Sequence, residues 1–334
     1  MNREAIEALE HQASALIRKS VAPSTEKKYL GCSEKFREFC HNISINPFPP
    51  SEHSLILFAT SLSKSMSHKN ISAHIAAVKY HSQVIGYDLD CTSFSRLYRL
   101  LRGIKRTQGK KFRKPPRIPV TPSLLLTMGR NLWNSSYHFL DKAMLWAAML
   151  TAFYGFLRVS EYTSPLVRYY DPLTTLCYQD ITIMSHSQIS IHIKASKTDP
   201  FRSGVQIHIL ANASPLCPFQ ALLKFLSMHP TKSGPLFIWN DGRFLTRSGL
   251  ATAINRIKPC HIKNMSSHSF RIGAASTAAA AGHPRWLIQA LGRWSSNCYR
   301  DYIRVPSSTL SQVSSSLAFL TSATYPTFDP DNIE

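Results

Sequence analysis

The run SHSFRIGAASTAAAAGHPRWLIQALGRWSSNCYRDYIRV near the C-terminus contains side chains that suit phosphate chemistry. His268 and Arg271 are three residues apart, and on a helix that spacing lets two donors converge on one phosphate. Trp294, Tyr299 and Tyr302 follow, each of which alone is typical of a core aromatic. The run therefore fits either a pair of core helices or most of an active site.

Two shorter stretches upstream contain charged residues that could belong to the same site as this run. GFLRVSEY places Arg158 just after an apolar helix, with Glu161 three residues on, the spacing of an ordinary helical ion pair. KASKTDPF places Lys197 in a predicted turn between two strands, where a lysine is usually just solvated. Neither stretch indicates chemistry alone.

The charge of the chain favours a polyanionic partner. Its 334 residues contain 39 Lys and Arg against 19 Asp and Glu, a net charge of +20. A compact protein tolerates such self-repulsion best when a polyanion neutralises it, so nucleic acid is the leading partner. A merely soluble basic protein and one that lies on an anionic membrane stay open as alternatives.

The cysteines and the N-terminus narrow the class of protein. The seven cysteines are odd in number and scattered, without a CxxC pair, so neither a disulfide framework nor a zinc site is expected. No metal or other cofactor is predicted. The first twenty residues contain no apolar core of signal-peptide type, which predicts an intracellular protein.

The N-terminal third is helical in pattern, with about four helices between residues 22 and 106. The last of them carries an arginine at every third or fourth position, namely Arg96, Arg99, Arg102 and Arg106. The opposite face carries Leu97, Leu100, Leu101 and Ile104. One face can pack while the other either holds phosphates or is simply solvated.

A basic, proline-rich stretch separates this part from the remainder. TQGKKFRKPPRIPVTPS contains a Pro-Pro pair and excludes regular helix, so residues 108–120 are predicted as a linker between a domain at 1–107 and one at 121–334. Its basic residues predicted to bind DNA are Lys110, Lys111, Arg113 and Lys114.

The second domain mixes helices with one small sheet. FLDKAMLWAAMLTAFYGF is the most apolar helix, and it is predicted to end near Gly155. Three short alternating runs then predict antiparallel strands at 181–183, 189–193 and 205–209, before helices resume. The fold class predicted is mainly α with a small antiparallel β-sheet, that is, α+β.

Taken in chain order, the Arg, the turn Lys, the HxxR, the Gly-x-Trp and the Tyr resemble the catalytic set of the tyrosine recombinases, the integrases and Cre-like enzymes. That family has a helical core-binding domain, a basic linker and a catalytic domain with a small sheet, so the resemblance covers the chain in outline. The run SHSFRIGAAS…AAGHPRWLIQALGRWSS…YRDYIR is most similar to the recombinases of eukaryotic mobile elements, the DIRS-like, Ngaro-like and Crypton groups.

The resemblance implies a cofactor-free reaction that cuts and rejoins double-stranded DNA through a 3′-phosphotyrosine. It implies that Tyr302 is the nucleophile, that Arg158 and Arg271 clamp the phosphate, and that Lys197 protonates the leaving 5′ oxygen. It also implies a homo-oligomer, a dimer on one site and a tetramer in synapsis, away from membranes and in the nucleus if the host is eukaryotic.

Three further residues take roles from the same resemblance. His268 is the acid/base group near the nucleophile, Trp294 holds the phosphate through its ring N–H, and Glu161 orients Arg158. The chain departs from the family at LGRW, because Arg293 lies nine residues before Tyr302, where His or Trp is usual, and Trp294 lies eight before it. Trp294 is preferred by residue type, with Arg293 kept open.

Two expectations concern the end of the chain. Tyr302 is preferred to Tyr299 because DYIR resembles the nucleophile segment. After residue 305 an amphipathic tail helix is predicted, with Leu310, Val313, Leu317 and Leu320 on one side. A DNA-binding protein without activity and a type IB topoisomerase remain rival interpretations.

Overall fold

A computed structural model of the chain describes residues 3–88, 90, 93–112, 115–196, 199 and 201–304. Over these residues the fold is mainly α-helical with one three-stranded antiparallel sheet, as the sequence predicts. The chain divides into two compact units, Met1–Pro115 and Pro116–Glu334. The division falls inside the stretch that the sequence marks as a linker.

The first unit consists of helices. Their bounds are α1 Arg3–Arg18, α2 Pro23–Asn42, α3 Glu52–Ser63, α4 His68–Val84 and α5 Ser95–Gln108. The last four are the four helices predicted from the sequence, and their core is built around Phe36, Leu55, Phe58 and Ile71. Helix α1 has no buried residue, and the Tyr80 hydroxyl donates to the Arg18 carbonyl at its C-terminal end.

Helix α5 has the two faces that its sequence predicts. Leu97 and Ile104 are buried, whereas the arginines of the other face, Arg96, Arg99, Arg102 and Arg106, are exposed. The helix begins without a side-chain cap of its own. Glu52 of α3 provides one instead, because its carboxylate accepts from the backbone N–H groups of Arg96 and Leu97 at 2.8 and 3.0 Å.

The second unit contains seven α-helices among its described residues. They are α6 Pro122–Trp133, α7 Phe139–Tyr154, α8 Val159–Tyr162, α9 Pro218–Ser227, α10 Arg247–Ile257, α11 His268–Ala280 and α12 Arg285–Leu291. Thr121 caps α6 by accepting from the Leu124 N–H, and α7 ends at Gly155 as predicted. Helix α7 runs through the middle of the core, with ten of its residues buried. Across the described ranges, no helix combines the length and the apolar character that a bilayer crossing requires.

The sheet has the order β1-β2-β3, with β1 Ile181–Ser185, β2 Gln188–Ile193 and β3 Val205–Leu210. Neighbouring strands are antiparallel, and Ile191 pairs with Ile181 on one side and with Ile207 on the other. The isoleucines of β2 are buried because the alternating pattern turns them toward the helical core. The sheet therefore packs against the helical core of this unit through β2.

The segment just before α6 is fixed against the N-terminal end of α11. The Ile118 and Val120 N–H groups donate to the carbonyls of Asn264 and Ser269 at 3.3 and 3.0 Å. Gly273 permits this approach, since a Cβ there would collide with the Val120 backbone. Residues 116–120 are thereby held beside His268, the first residue of α11.

Candidate active site

Arg158 and the buried Glu161 form an ion pair just after the central helix. The chain leaves α7 through a turn in which Phe156 adopts a left-handed φ of 50°, and Arg158 is the N-cap of α8. The Glu161 carboxylate accepts from the Arg158 backbone N–H at 2.8 Å and from its Nη1 at 3.0 Å. The predicted pair thus also fixes the backbone that carries Arg158.

Arg293 completes this pair, which the sequence did not predict. Its Nη2 donates to the second Glu161 oxygen at 2.7 Å, and its Nη1 donates to the Gly155 carbonyl at 3.2 Å. Arg293 itself has a left-handed φ of 52°, which turns its side chain inward. Glu161, with no exposed side-chain surface, is therefore shared by two arginines from distant parts of the chain.

Arg271 lies fully buried at the centre of the cluster, with 0% of its surface exposed. Its two terminal nitrogens donate to the carbonyls of Phe156 and Gly292. Its guanidinium lies 4.3 Å from the centroid of the Trp294 ring and 5.8 Å from that of Tyr302. In this conformation the guanidinium is closed to solvent and to any phosphate.

Tyr302 contacts two of the predicted site residues. Its ring centroid lies 5.1 Å from that of His268 and 4.8 Å from that of Trp294. The ring is half-buried at the end of the 3₁₀ helix Asn297–Asp301. Tyr299, in contrast, is 3% exposed and belongs to the hydrophobic core. Only one of the two competing tyrosines is therefore open to a substrate.

Burial and the neighbouring arginines together keep His268 uncharged. Burial is the main cause that lowers the pKa of His268, followed by the positive fields of Arg117, Arg271 and Arg158, to about 4. The imidazole is therefore neutral at pH 7. Burial also lowers the pKa of Arg271, to about 10, so that this guanidinium stays charged at pH 7.

Three buried donors of the cluster have no partner among the described residues. They are the Nε atoms of Arg271 and Arg293 and the indole Nε1 of Trp294. A buried donor without an acceptor costs about 1–3 kcal/mol. The donors on Arg271 and Trp294 belong to side chains that pack beside Tyr302, so an anion could reach the Arg271 donor only after these aromatic side chains move.

The predicted site residues fall into three groups. The structure brings together Arg158, Glu161, His268, Arg271, Trp294 and Tyr302 within the second unit. The second group is exposed in the first unit, with Arg96, Arg99, Arg102 and Arg106 on α5 and Lys110 and Lys111 just after it. Lys197, Arg113, Lys114 and the predicted tail helix after residue 305 lie outside the described residues.

Comparison with known proteins gives matches in structure alone. The sequence matches no protein-family model and no curated protein. The XerH site-specific recombinase, solved in a post-cleavage complex with palindromic difH substrate, matches with a TM-score of 0.56 at 16% identity, over 85% of this chain and 76% of its own. The Tn1549 transposon integrase, in complex with transposon right end DNA, matches with a TM-score of 0.56 at 14% identity, over 88% and 92%.

A lambda integrase dimer bound to a COC′ core site matches as well, with a TM-score of 0.53 at 13% identity, over 89% of this chain and 94% of its own. At such identities the likeness establishes the fold. The chain therefore has the fold of the tyrosine recombinases and integrases, and the resemblance noted in its sequence motifs agrees with it.

Proposed function

We propose that the protein is a site-specific tyrosine recombinase that cleaves and rejoins DNA strands through a covalent 3′-phosphotyrosine. The observation that carries the proposal is the convergence of His268, Arg271 and Trp294 on the half-buried ring of Tyr302. Binding alone would not require a tyrosine beside a neutral imidazole and a buried guanidinium in a chain of this fold.

In the proposed reaction the Tyr302 oxygen attacks the scissile phosphorus. The bond from phosphorus to the 5′ oxygen breaks, and Lys197 supplies the proton that the leaving hydroxyl takes. His268 accepts the phenolic proton, since its imidazole is neutral at pH 7 and has a free acceptor position. Rejoining reverses these steps with a 5′ hydroxyl of another strand, so no metal, oxidant or nucleotide is consumed.

The phosphate gains negative charge on its non-bridging oxygens in the transition state. Arg158, Arg271 and the Trp294 ring N–H are proposed to stabilise that charge, with Glu161 and Arg293 holding Arg158 in place. Because Arg271 is buried beside Trp294 and Tyr302, its contact with the phosphate requires these aromatic side chains to move when DNA binds. Trp294, and not Arg293, is proposed for the His or Trp position, since Arg293 is engaged with Glu161.

The type of mobile element and the oligomeric state are proposed from the sequence motifs. We propose that the reaction integrates or excises a mobile element of the DIRS-like, Ngaro-like or Crypton type, and that the protein works as a dimer on one site and as a tetramer in synapsis. Double-stranded DNA is the proposed partner. A eukaryotic host would place the protein in the nucleus.

The test is capture of the covalent intermediate. The purified chain is incubated with a library of duplexes that carry a randomised core and a nick, from which the short leaving strand diffuses away. We expect a protein–DNA adduct that survives denaturant, and sequencing of the trapped DNA gives the preferred site. Tyr302→Phe should bind DNA normally and give no adduct, because only the attacking oxygen is lost.

Tyr299→Phe is the matched control and should give the parental adduct. If Tyr302→Phe formed the adduct at the parental level, Tyr302 would not be the nucleophile. If the parent bound DNA but formed no adduct, a DNA-binding protein without catalytic activity would be favoured. Two differently labelled duplexes with the selected site separate the remaining alternatives. A recombinase joins the two labels into one molecule, whereas a type IB topoisomerase relaxes supercoils without exchanging them.

A further inference from the structure

A cavity opens beside the Tyr302 ring and extends the candidate active site. It has a volume of about 300 Å³, and its walls are formed by Arg117, His268, Ile272, Asp301, Tyr302 and Arg304. The two arginines of this wall, Arg117 and Arg304, do not belong to the proposed catalytic residues. Unlike Arg271, they border open space.

Backbone contacts hold Arg117 at this wall. The residue precedes Ile118 and Val120, whose N–H groups bond to residues at the start of α11. Arg304 approaches from the opposite segment, and its Nη1 donates to the Asp301 and Ile303 carbonyls at 2.6 and 3.2 Å. The Arg117 side chain is exposed and forms no hydrogen bond or ion pair with any described residue.

The residues that line the cavity carry a net charge of +1 at pH 7. Arg117 and Arg304 are positive, Asp301 is the single acidic residue of the wall, and His268 is neutral at pH 7. The excess of one positive charge matches the single negative charge of a phosphodiester. Arg117 also makes the largest charge contribution to the field on His268, ahead of Arg271, Arg158 and Arg247.

We propose that Arg117 binds a DNA phosphodiester in this cavity, beside the Tyr302 hydroxyl, and so is a further substrate-binding residue of the site. The proposal rests on the proposed function for the identity of the anion. The Arg117 guanidinium offers five N–H donors in a planar fork, which suits a phosphate that lies between Arg117 and His268.

A first experiment detects the anion without any reaction. Inorganic phosphate is titrated at pH 7 into the full chain while the imidazole signals of His268 are followed by NMR, with sodium chloride of equal ionic strength as reference. The parent should show a saturable shift. Arg117→Gln should bind phosphate at least about tenfold more weakly, whereas the exposed Arg168→Gln, which removes the same charge away from the cavity, should match the parent.

A second experiment measures the adduct rate on the trapped site. Arg117→Gln should form adduct at least about tenfold more slowly than Arg168→Gln, and Arg117→Lys should recover part of the rate because it keeps the charge but not the fork. Equal behaviour of Arg117→Gln and Arg168→Gln in both experiments, or a parent signal that phosphate does not move, would overturn the proposal. A parent that binds phosphate through Arg117 but forms no adduct would contradict the proposed function alone.

Discussion

At the scale of single residues, Glu161 organises the site. Its carboxylate pairs with Arg158 and Arg293, and the carbonyls of the 155–157 turn accept from Arg293 and Arg271. Three guanidinium groups in one buried cluster repel one another, and the single carboxylate offsets part of that repulsion. The position of Arg158 therefore depends on a residue that need not touch DNA.

Substitution of Glu161 by Gln should destabilise the protein strongly. The amide preserves the shape but removes the negative charge that Arg158 and Arg293 share, leaving their largely buried charges uncompensated. A loss of about 3 kcal/mol in the free energy of unfolding is expected, measured by urea denaturation. The exposed pair of Arg243 and Asp241, 2.6 Å apart, supplies the control.

Asp241→Asn should change the urea midpoint far less than Glu161→Gln, since water already screens that pair. Similar losses for the two variants would mean that burial does not strengthen the Glu161 contacts. Adduct formation by Glu161→Gln should fall together with stability, because the backbone that carries Arg158 loses its cap.

The sequence indicated which residues could form the site better than it indicated their contacts. The set of His268, Arg271, Trp294 and Tyr302 was expected from the resemblance to the tyrosine recombinases, and the structure places these four side chains together, while their catalytic roles stay a prediction. The pairing of Arg293 with Glu161 could not be predicted, because it joins residues far apart in the chain and depends on a left-handed backbone at a non-glycine residue. The burial of Arg271 could not be predicted either, because the HxxR spacing places His268 and Arg271 on one face of a helix but does not indicate how deeply that face is buried.

At the scale of the elements, the sequence predicted those features that depend on the local spacing of apolar residues. The two faces of α5 and the three strands follow from periodicities of 3.6 and 2 residues, and the structure confirms both. Helix α1 was not predicted, although Ile6, Leu9, Leu16 and Ile17 recur at helical spacing in its sequence, and in the structure these side chains stay exposed. The place of residues 116–120 against α11 depends on Gly273, which is unremarkable until its neighbour is known.

The exposed face of α5 should bind phosphates. If Arg99, Arg102 and Arg106 neutralise the DNA backbone, their replacement by Gln should flatten the dependence of log affinity on log salt, by about 0.9 for each phosphate that is no longer neutralised. Duplex binding measured by fluorescence anisotropy across a range of salt concentrations gives the slope.

The matched control removes equal charge elsewhere in the same unit. Lys27, Lys28 and Lys35 lie on α2, and their triple change to Gln lowers the net charge by the same amount. A phosphate-binding face should make the α5 variant flatter than this control. Equal slopes for the two triple variants would show that net charge alone governs binding and that α5 does not touch the phosphates.

At the scale of the whole molecule, each unit has its own hydrophobic core. One cluster of buried residues runs from Phe36 to Ile104, the other from Val120 to Tyr299, and no described core residue belongs to both. A unit with a complete core can fold alone when few contacts cross its boundary. The separation also means that the basic face of α5 and the cluster around Tyr302 lie in different folding units.

We therefore expect the fragments 1–115 and 116–334 to fold independently. Each should unfold cooperatively, and backbone hydrogen exchange in each should match that of the same residues in the full chain, because the protecting contacts lie within the fragment. The full chain should bind duplex DNA more tightly than either fragment, since binding by one unit raises the effective concentration of the other. Loss of exchange protection along α7 in the 116–334 fragment would contradict this division, because α7 lies entirely within that fragment and owes its burial to the core there.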